Sequence, residues 1–198
     1  AWLGLSRSGV WKYLKTLEGL GLDVFAVPGR GYRLARPIEL LERARIEALL
    51  HPVTRAGLAD LELFHQVDST NHHLMRKGLS ELPSGSVCLA ESQQAGKGRR
   101  GKTWVSPYGA NLYLSIAWTF SCAPRTLSGL SLACGVAVAR AVESMGVQDI
   151  GLKWPNDLLW RGRKLGGILI EIAGEVSGPC LAVVGVGINM QMPKQVGA

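Results

Sequence analysis

The chain has 198 residues, 47% of them hydrophobic and 19% charged. That composition excludes global disorder and allows one substantial domain, or one domain plus a small module. The net charge of +7 favours acidic partners such as nucleic acid or nucleotides without choosing among them.

Cys88, Cys122, Cys134 and Cys180 form no CxxC pair and no Cys/His cluster with zinc spacing. Cys88 falls in a strand and Cys134 on an apolar helix, so both read as core, and a reducing compartment is inferred. No apolar run approaches a membrane span, and no signal peptide is visible.

The first element spans Leu5 to Leu17, a helix capped near Ser6 and stopped by Gly19 and Gly21. Val10, Leu14 and Leu17 form its apolar face. Val24–Val27, Pro28-Gly29-Arg30-Gly31 and Tyr32–Leu34 then read as strand, tight turn, strand. A basic helix followed by a Gly-tipped hairpin is the second half of a winged helix-turn-helix. Residues 1–36 carry six cations against two acids, an excess that suits DNA phosphates. The candidate DNA contacts are Arg7, Lys12 and Arg30. The alternative is a solvated helix and hairpin with no DNA role.

Ala35-Arg36-Pro37 marks a linker, and Ile38 to Leu50 reads as a helix. A larger α/β unit starts near residue 59. Leu61–Val67 reads as a strand, and Asp68-Ser69-Thr70-Asn71 caps a short helix that runs to about Lys77, with Gly78 as its stop. Val87–Glu91 is a strand. Leu112–Trp118 alternates and is aromatic and β-branched, so it is another. Leu127–Met145 is a helix ended by Gly146. Strands follow at Leu152–Trp154, Leu165–Ile172 and Leu181–Ile188. The expected fold class is α+β, a mixed sheet with helices on one face.

The most telling segment runs from Gln93 to Trp104. It holds four cationic side chains, three glycines and no acid. Bare amides among cations trap phosphate or carboxylate. Gly/Arg-rich runs also occur as flexible basic loops on RNA. The turn Ser106–Asn111 pins this one to the strand at Leu112, which favours a site.

Three more features join it. In Lys153-Trp154-Pro155-Asn156-Asp157 a strand breaks beside a carboxylate that suits Mg²⁺, the alternative being an ordinary Asx turn. Arg161 to Gly167 places Lys164 at a strand entry before two glycines, which suggests an anion contact rather than a plain basic hairpin tip. Gly185-Val186-Gly187-Ile188-Asn189 puts glycines inside an apolar strand, so something packs closely there. His65, His72 and His73 have no nucleophile beside them in sequence and read as structural.

In their order and spacing these motifs resemble the biotin protein ligases of the bifunctional kind, the biotin operon repressors. The likeness runs from about Leu5 to about Met192 and includes Lys164-Leu165-Gly166-Gly167-Ile168-Leu169-Ile170-Glu171. It implies a class II synthetase-like catalytic domain at 59–198, a linker and helix at 37–58, and a partial winged helix-turn-helix at 1–36. It also implies that the first helices of the latter and a C-terminal β-barrel fall outside this sequence.

The resemblance implies an enzyme that makes biotinyl-5′-adenylate from biotin, ATP and Mg²⁺. The biotin then passes to a lysine of the biotin carboxyl carrier domain of acetyl-CoA carboxylase. Operator DNA, a homodimer formed through the sheet and a cytoplasmic location are implied too. By resemblance, Ser69, Thr70, Asn71, Gln93, Lys97, Gly98, Arg99, Lys164, Gly167 and Gly185 surround biotin. Arg100, Trp104, Asn111, Lys153 and Asn189 lie toward ATP or the adenylate, and Asp157 assists Mg²⁺. Arg99, Lys153 and Lys164 are the expected catalytic groups. Lys97 departs from the family, standing where many relatives carry arginine; the charge is kept and the bidentate fork is not. The rival readings are a lipoate ligase or transferase, a ligand-sensing DNA-binding regulator without catalysis, and an RNA-binding protein.

Overall fold

The computed structural model describes residues 4–192, apart from the side chain of Leu79; the outer ends of the units expected at 1–36 and 59–198 lie outside the described residues.

Helix α1, Arg7–Gly19, starts at Ser6, whose hydroxyl accepts from the Gly9 amide at 3.1 Å. It ends in a Schellman motif. Gly21, at φ +79°, donates to the Glu18 carbonyl, and Leu22 donates to the Leu17 carbonyl. Strands β1, Val24–Val27, and β2, Gly31–Leu34, pair antiparallel as a separate two-stranded sheet.

The next stretch departs from expectation. Only Arg43–Leu49 is helical (α2), and Pro52–Gly57 forms a second short helix, α3. Residues 37–42 form an extended strap instead. Pro37 disfavours helix in the residue before it. Ile38 packs onto Gly109, and the Leu41 amide donates to Glu91 Oε1 at 2.5 Å. Those tertiary partners outweigh local helix propensity.

A seven-stranded sheet forms the rest. Its strands are β3 (Asp60–Phe64), β4 (Ser86–Ala90), β5 (Leu112–Phe120), β6 (Ile150–Lys153), β7 (Asp157–Trp160), β8 (Arg163–Gly174) and β9 (Cys180–Ile188). The order is β3-β4-β5-β9-β8-β7-β6, and only β3 and β4 run parallel. Strand β7 is absent from the sequence reading, which left an ordinary Asx turn at Asn156-Asp157 as its alternative; the turn is at Trp154–Asn156, and Asp157 opens β7, which returns antiparallel to β6.

The mixed sheet is as expected, but its helices are not all on one face. Side chains alternate across a strand. Helix α4, Thr70–Met75, packs Leu74 on Cys88, Ala117, Leu181 and Val183. Helix α6, Leu130–Ser144, packs Ala139 on Leu158, Ile168 and Val186, which point the opposite way. Two cores therefore sandwich the sheet. A four-residue helix α5, Gly78–Glu81, follows α4. Contrary to the sequence reading, the stretch Pro124–Ser144 is long and apolar enough, by length and composition, to cross a membrane. Of its residues, Gly135, Ala139 and Val142 are buried.

Candidate ligand cavity on the glycine floor of the sheet

A cavity of about 400 Å³ opens on the face that carries α4. Its floor is built from glycines of β8 and β9. A Cβ on Gly185 would overlap the Asn71 amide, and one on Gly187 would lie 2.6 Å from the Trp104 indole. The tight packing expected at Gly185 to Asn189 therefore has two identified causes, Asn71 from α4 and Trp104 from the loop.

The Gln93–Trp104 segment is a folded hairpin, not a tail. Lys97 bridges Thr103, the Gly98 amide donates to the Lys102 carbonyl at 2.7 Å, and the Trp104 amide donates to the Gly96 carbonyl at 2.8 Å. Its tip is a 3-10 turn, Arg99–Gly101, with Arg100 at φ +57°. Gly96 is required, because a Cβ would overlap the Trp104 carbonyl oxygen. This hairpin lays Lys97, Arg99, Arg100 and Lys102 along the cavity wall.

Lys164 reaches the cavity through a bulge. Leu158 pairs with Gly166 but Leu159 pairs with Lys164, so Leu165 is an extra residue. Bulges re-aim side chains. Leu165 packs with the α6 core, while Lys164 turns to the α4 face. There its Nζ lies 2.7 Å from Asp157 Oδ1 and 5.4 Å from the Trp104 ring centroid. The Trp104 Nε1 is buried without a hydrogen-bond partner.

The deep end is neutral. Ser69 caps α4 and lines the cavity at once; its hydroxyl faces the His72 amide at 3.5 Å. Gln93 Oε1 accepts from the Thr70 amide at 2.9 Å, and Gln93 Nε2 donates to Ser106 Oγ at 3.1 Å. The cavity thus joins a cationic wall to an uncharged floor of hydroxyls and amides. It can hold a ligand that is anionic at one end and neutral but polar at the other.

Of the expected site residues, Ser69, Thr70, Asn71, Gln93, Lys97, Gly98, Arg99, Arg100, Trp104, Asp157, Lys164, Gly167 and Gly185 line this cavity. Lys153, Asn111 and Asn189 do not. Lys153 is exposed on the edge strand β6. Asn111 is buried, and its Oδ1 accepts from the Met190 and Gln191 amides at 2.8 and 3.2 Å, so it ties down the segment after β9. The Asn189 amide donates to the Leu165 carbonyl. The lining also holds Lys102, Thr103, Trp154 and Asn156, which lie inside the segments singled out in the sequence but were given no individual role, and Tyr113, which was read only as part of a strand. Trp154 is 83% exposed at the mouth, an unusual state for an indole that only the structure reveals.

Among the described residues, no group of three or more His, Cys, Asp or Glu side chains could hold a metal. Asp157 is the one carboxylate in the lining, and Lys164 already neutralises it. That donor set fits Mg²⁺ arriving on phosphates, not a resident metal. The histidines are structural. His65 bonds and stacks on Tyr108, while His72 and His73 sit beside Asp68 and Glu62.

The N-terminal candidates Arg7, Lys12 and Arg30 lie on α1 and at the hairpin turn, all exposed.

Comparison with known proteins identifies the family. A model of the biotin/lipoate A/B protein ligase family matches residues 63–189, and a helix-turn-helix domain model matches residues 2–33. The bifunctional ligase/repressor BirA of Escherichia coli is 45% identical over 190 residues, 96% of this chain, and that of Salmonella typhimurium is 44% identical. The chain spans 57% of the length of both. Among solved structures, a biotin protein ligase from Aquifex aeolicus in complex with biotin and ATP is 30% identical. It superposes with a TM-score of 0.57, over 70% of this chain and 57% of that one. A Helicobacter pylori biotin acetyl coenzyme A carboxylase synthetase with bound biotinylated ATP gives the same TM-score at 28% identity, over 70% of this chain and 66% of that one. With a family match over residues 63–189 and a helix-turn-helix match ahead of it, the chain belongs to the biotin/lipoate A/B protein ligase family.

Proposed function

We propose that the protein activates biotin with ATP to biotinyl-5′-adenylate, releasing pyrophosphate. It then passes the biotin to a lysine of the biotin carboxyl carrier domain of acetyl-CoA carboxylase. We further propose that the basic N-terminal module binds operator DNA, that the repressing form is a homodimer, and that the protein works in the cytoplasm, where its four free cysteines stay reduced.

The observation that carries the reading is the polarity of the cavity: four cations on one wall and hydroxyls and amides on the floor. Biotin has a neutral urea at one end and a carboxylate at the other. In the first step that carboxylate attacks the α-phosphorus of ATP, so two anions must meet. Preorganised cations and amides supply the stabilisation that phosphoryl transfer needs. Lys164, Arg99, Lys97 and Arg100 would hold the carboxylate and phosphates. A carboxylate nucleophile is already ionised and needs no general base, which fits a cavity without histidine.

Asp157 would steady Mg²⁺, which supplies charge neutralisation on the phosphates. In the absence of phosphates, Lys164 holds the Asp157 carboxylate in place. Any role of Lys153, Asn111 or Asn189 toward the adenylate requires the ligand to extend past the cavity wall.

The test is ATP–pyrophosphate exchange on the full-length protein, with and without biotin. Exchange that depends on biotin is expected. Exchange that depends on lipoate instead, or no exchange with ligand-dependent DNA binding intact, would replace this reading with a rival one.

A further inference from the structure

Beneath the cavity floor lies a hydrogen-bonded chain of side chains, Ser115, Thr70 and Asn71 buried and Glu171 half-buried, whose partners restrict where the protons can sit. Ser115, at the centre of β5, is 0% exposed. Its Oγ is 2.7 Å from Thr70 Oγ1 and 2.6 Å from Asn71 Oδ1. One hydroxyl carries one proton, so it donates to only one of these.

Asn71 settles which. Its Nδ2 faces Glu171 Oε2 at 2.8 Å and the Leu169 carbonyl at 3.2 Å. Both are acceptors, which fixes the amide with nitrogen toward Glu171 and oxygen toward Ser115. An amide oxygen only accepts, so the Ser115 proton goes to Asn71. The 2.7 Å contact to Thr70 must then be a donation from Thr70 to Ser115. The other neighbour of Thr70 Oγ1 is Gln93 Oε1 at 3.2 Å, which also only accepts. Among the described residues both neighbours of the Thr70 hydroxyl therefore act as acceptors for its single proton, and what remains for the cavity is a lone pair.

We propose that Ser115, Asn71 and Glu171 are positioning residues that fix Thr70 as a hydrogen-bond acceptor, so that the floor selects ligands presenting a neutral N–H. Naming that N–H as one of biotin's urea groups rests on the proposed function. Glu171 and Ser115 lie outside the cavity lining and act only through Asn71 and Thr70.

The test uses the full-length protein, biotin, and the two lactam analogues in which one urea N–H or the other is replaced by CH₂. In pyrophosphate exchange, the wild type should have a KM for one lactam at least about tenfold above that for biotin, the worth of one good hydrogen bond. In Ser115→Ala the Thr70 proton keeps only the longer Gln93 contact at 3.2 Å, so the hydroxyl is less firmly held as an acceptor and this ratio should fall at least about twofold, with kcat nearly unchanged. Glu171→Gln, whose amide oxygen still accepts from Asn71, should keep the wild-type ratio. A ratio untouched by Ser115→Ala, or KM raised equally for all three ligands, overturns the proposal.

A second measurement is independent of the ligand. In the ligand-free protein, nuclear magnetic resonance should detect a slowly exchanging Ser115 hydroxyl proton close to Asn71. A rapidly exchanging Ser115 hydroxyl overturns the relay whatever the cavity binds. If the wild type shows no biotin-dependent exchange while that proton is protected, the proposed function fails and the fixed polarity of Thr70 stands.

Discussion

Gly185 shows how a missing side chain shapes the cavity. Asn71 can sit against the sheet, and be held by Glu171 and Ser115, only because no Cβ stands at 185. Gly185→Ala should cost about 1–3 kcal/mol through overpacking and should weaken ligand binding at Thr70 as Asn71 is pushed away. Urea unfolding and exchange kinetics on the same variant check both; a variant as stable as wild type with an unchanged KM would mean Asn71 moves freely. Arg99 is a different kind of residue. Among the described residues its guanidinium has one hydrogen-bond partner, the Asn156 amide oxygen at 3.4 Å, and it lines the cavity. Arg99→Ala should leave stability intact and loosen the adenylate, losing charge-assisted contacts of about 1.5–3 kcal/mol. Release should speed up roughly tenfold or more. Adenylate retained on a filter at the wild-type rate would remove Arg99 from this role. Both residues were visible in the sequence, Arg99 by its charge and Gly185 by its oddity inside an apolar strand. The Lys164–Asp157 pair and the Ser115 relay were not, because register and a one-residue bulge bring those partners together.

At the level of elements, what could be read followed from local signals. Ser6, Gly21 and the Pro28–Gly31 turn fix α1 and the β1–β2 hairpin by cap and turn chemistry within a few residues. The strap at 37–42 reads as helix locally and is drawn out by Glu91 and Gly109, some fifty to seventy residues away. The division of helices between two faces likewise depends on which strand each one crosses, which periodicity does not encode. The central strands carry a testable consequence of burial. Burial pushes the Cys88 thiol up to about 12 and the Tyr113 phenol up to about 12. Both groups are neutral in the folded and unfolded chain well below their ordinary values, so their contribution is fully present there. As pH rises above about 9, the unfolded chain loses these protons first, and stability falls until the folded groups titrate near 12. Cys88→Ala should be less stable at neutral pH but show a shallower alkaline loss, by up to about one proton's worth of slope. Urea midpoints at pH 8 and 10.5 decide it; an unchanged slope would mean that Cys88 does not contribute.

Over the whole molecule, the two sheets answer to different chemistry. The small β1–β2 sheet and α1 have almost no buried side chains and an excess of positive charge, whereas the seven-stranded sheet encloses the cavity. Between them runs the strap, fastened by Leu41 to Glu91 and by Arg36 to the Gln191 carbonyl at 3.2 Å. If the basic module reads DNA and the cavity performs activation, the two should separate under mutation. Replacing Arg7, Lys12 and Arg30 by Ala in the full-length protein removes cations that make no contact with the cavity. Operator binding should weaken, and its salt dependence should flatten by up to about three phosphate contacts. Biotin-dependent pyrophosphate exchange should persist at the wild-type rate. Both are measured on one variant, by titration at several salt concentrations and by exchange. Exchange that falls while operator affinity holds would mean that the basic module serves the cavity and not DNA, and the assignment of roles to the two sheets would have to be reversed.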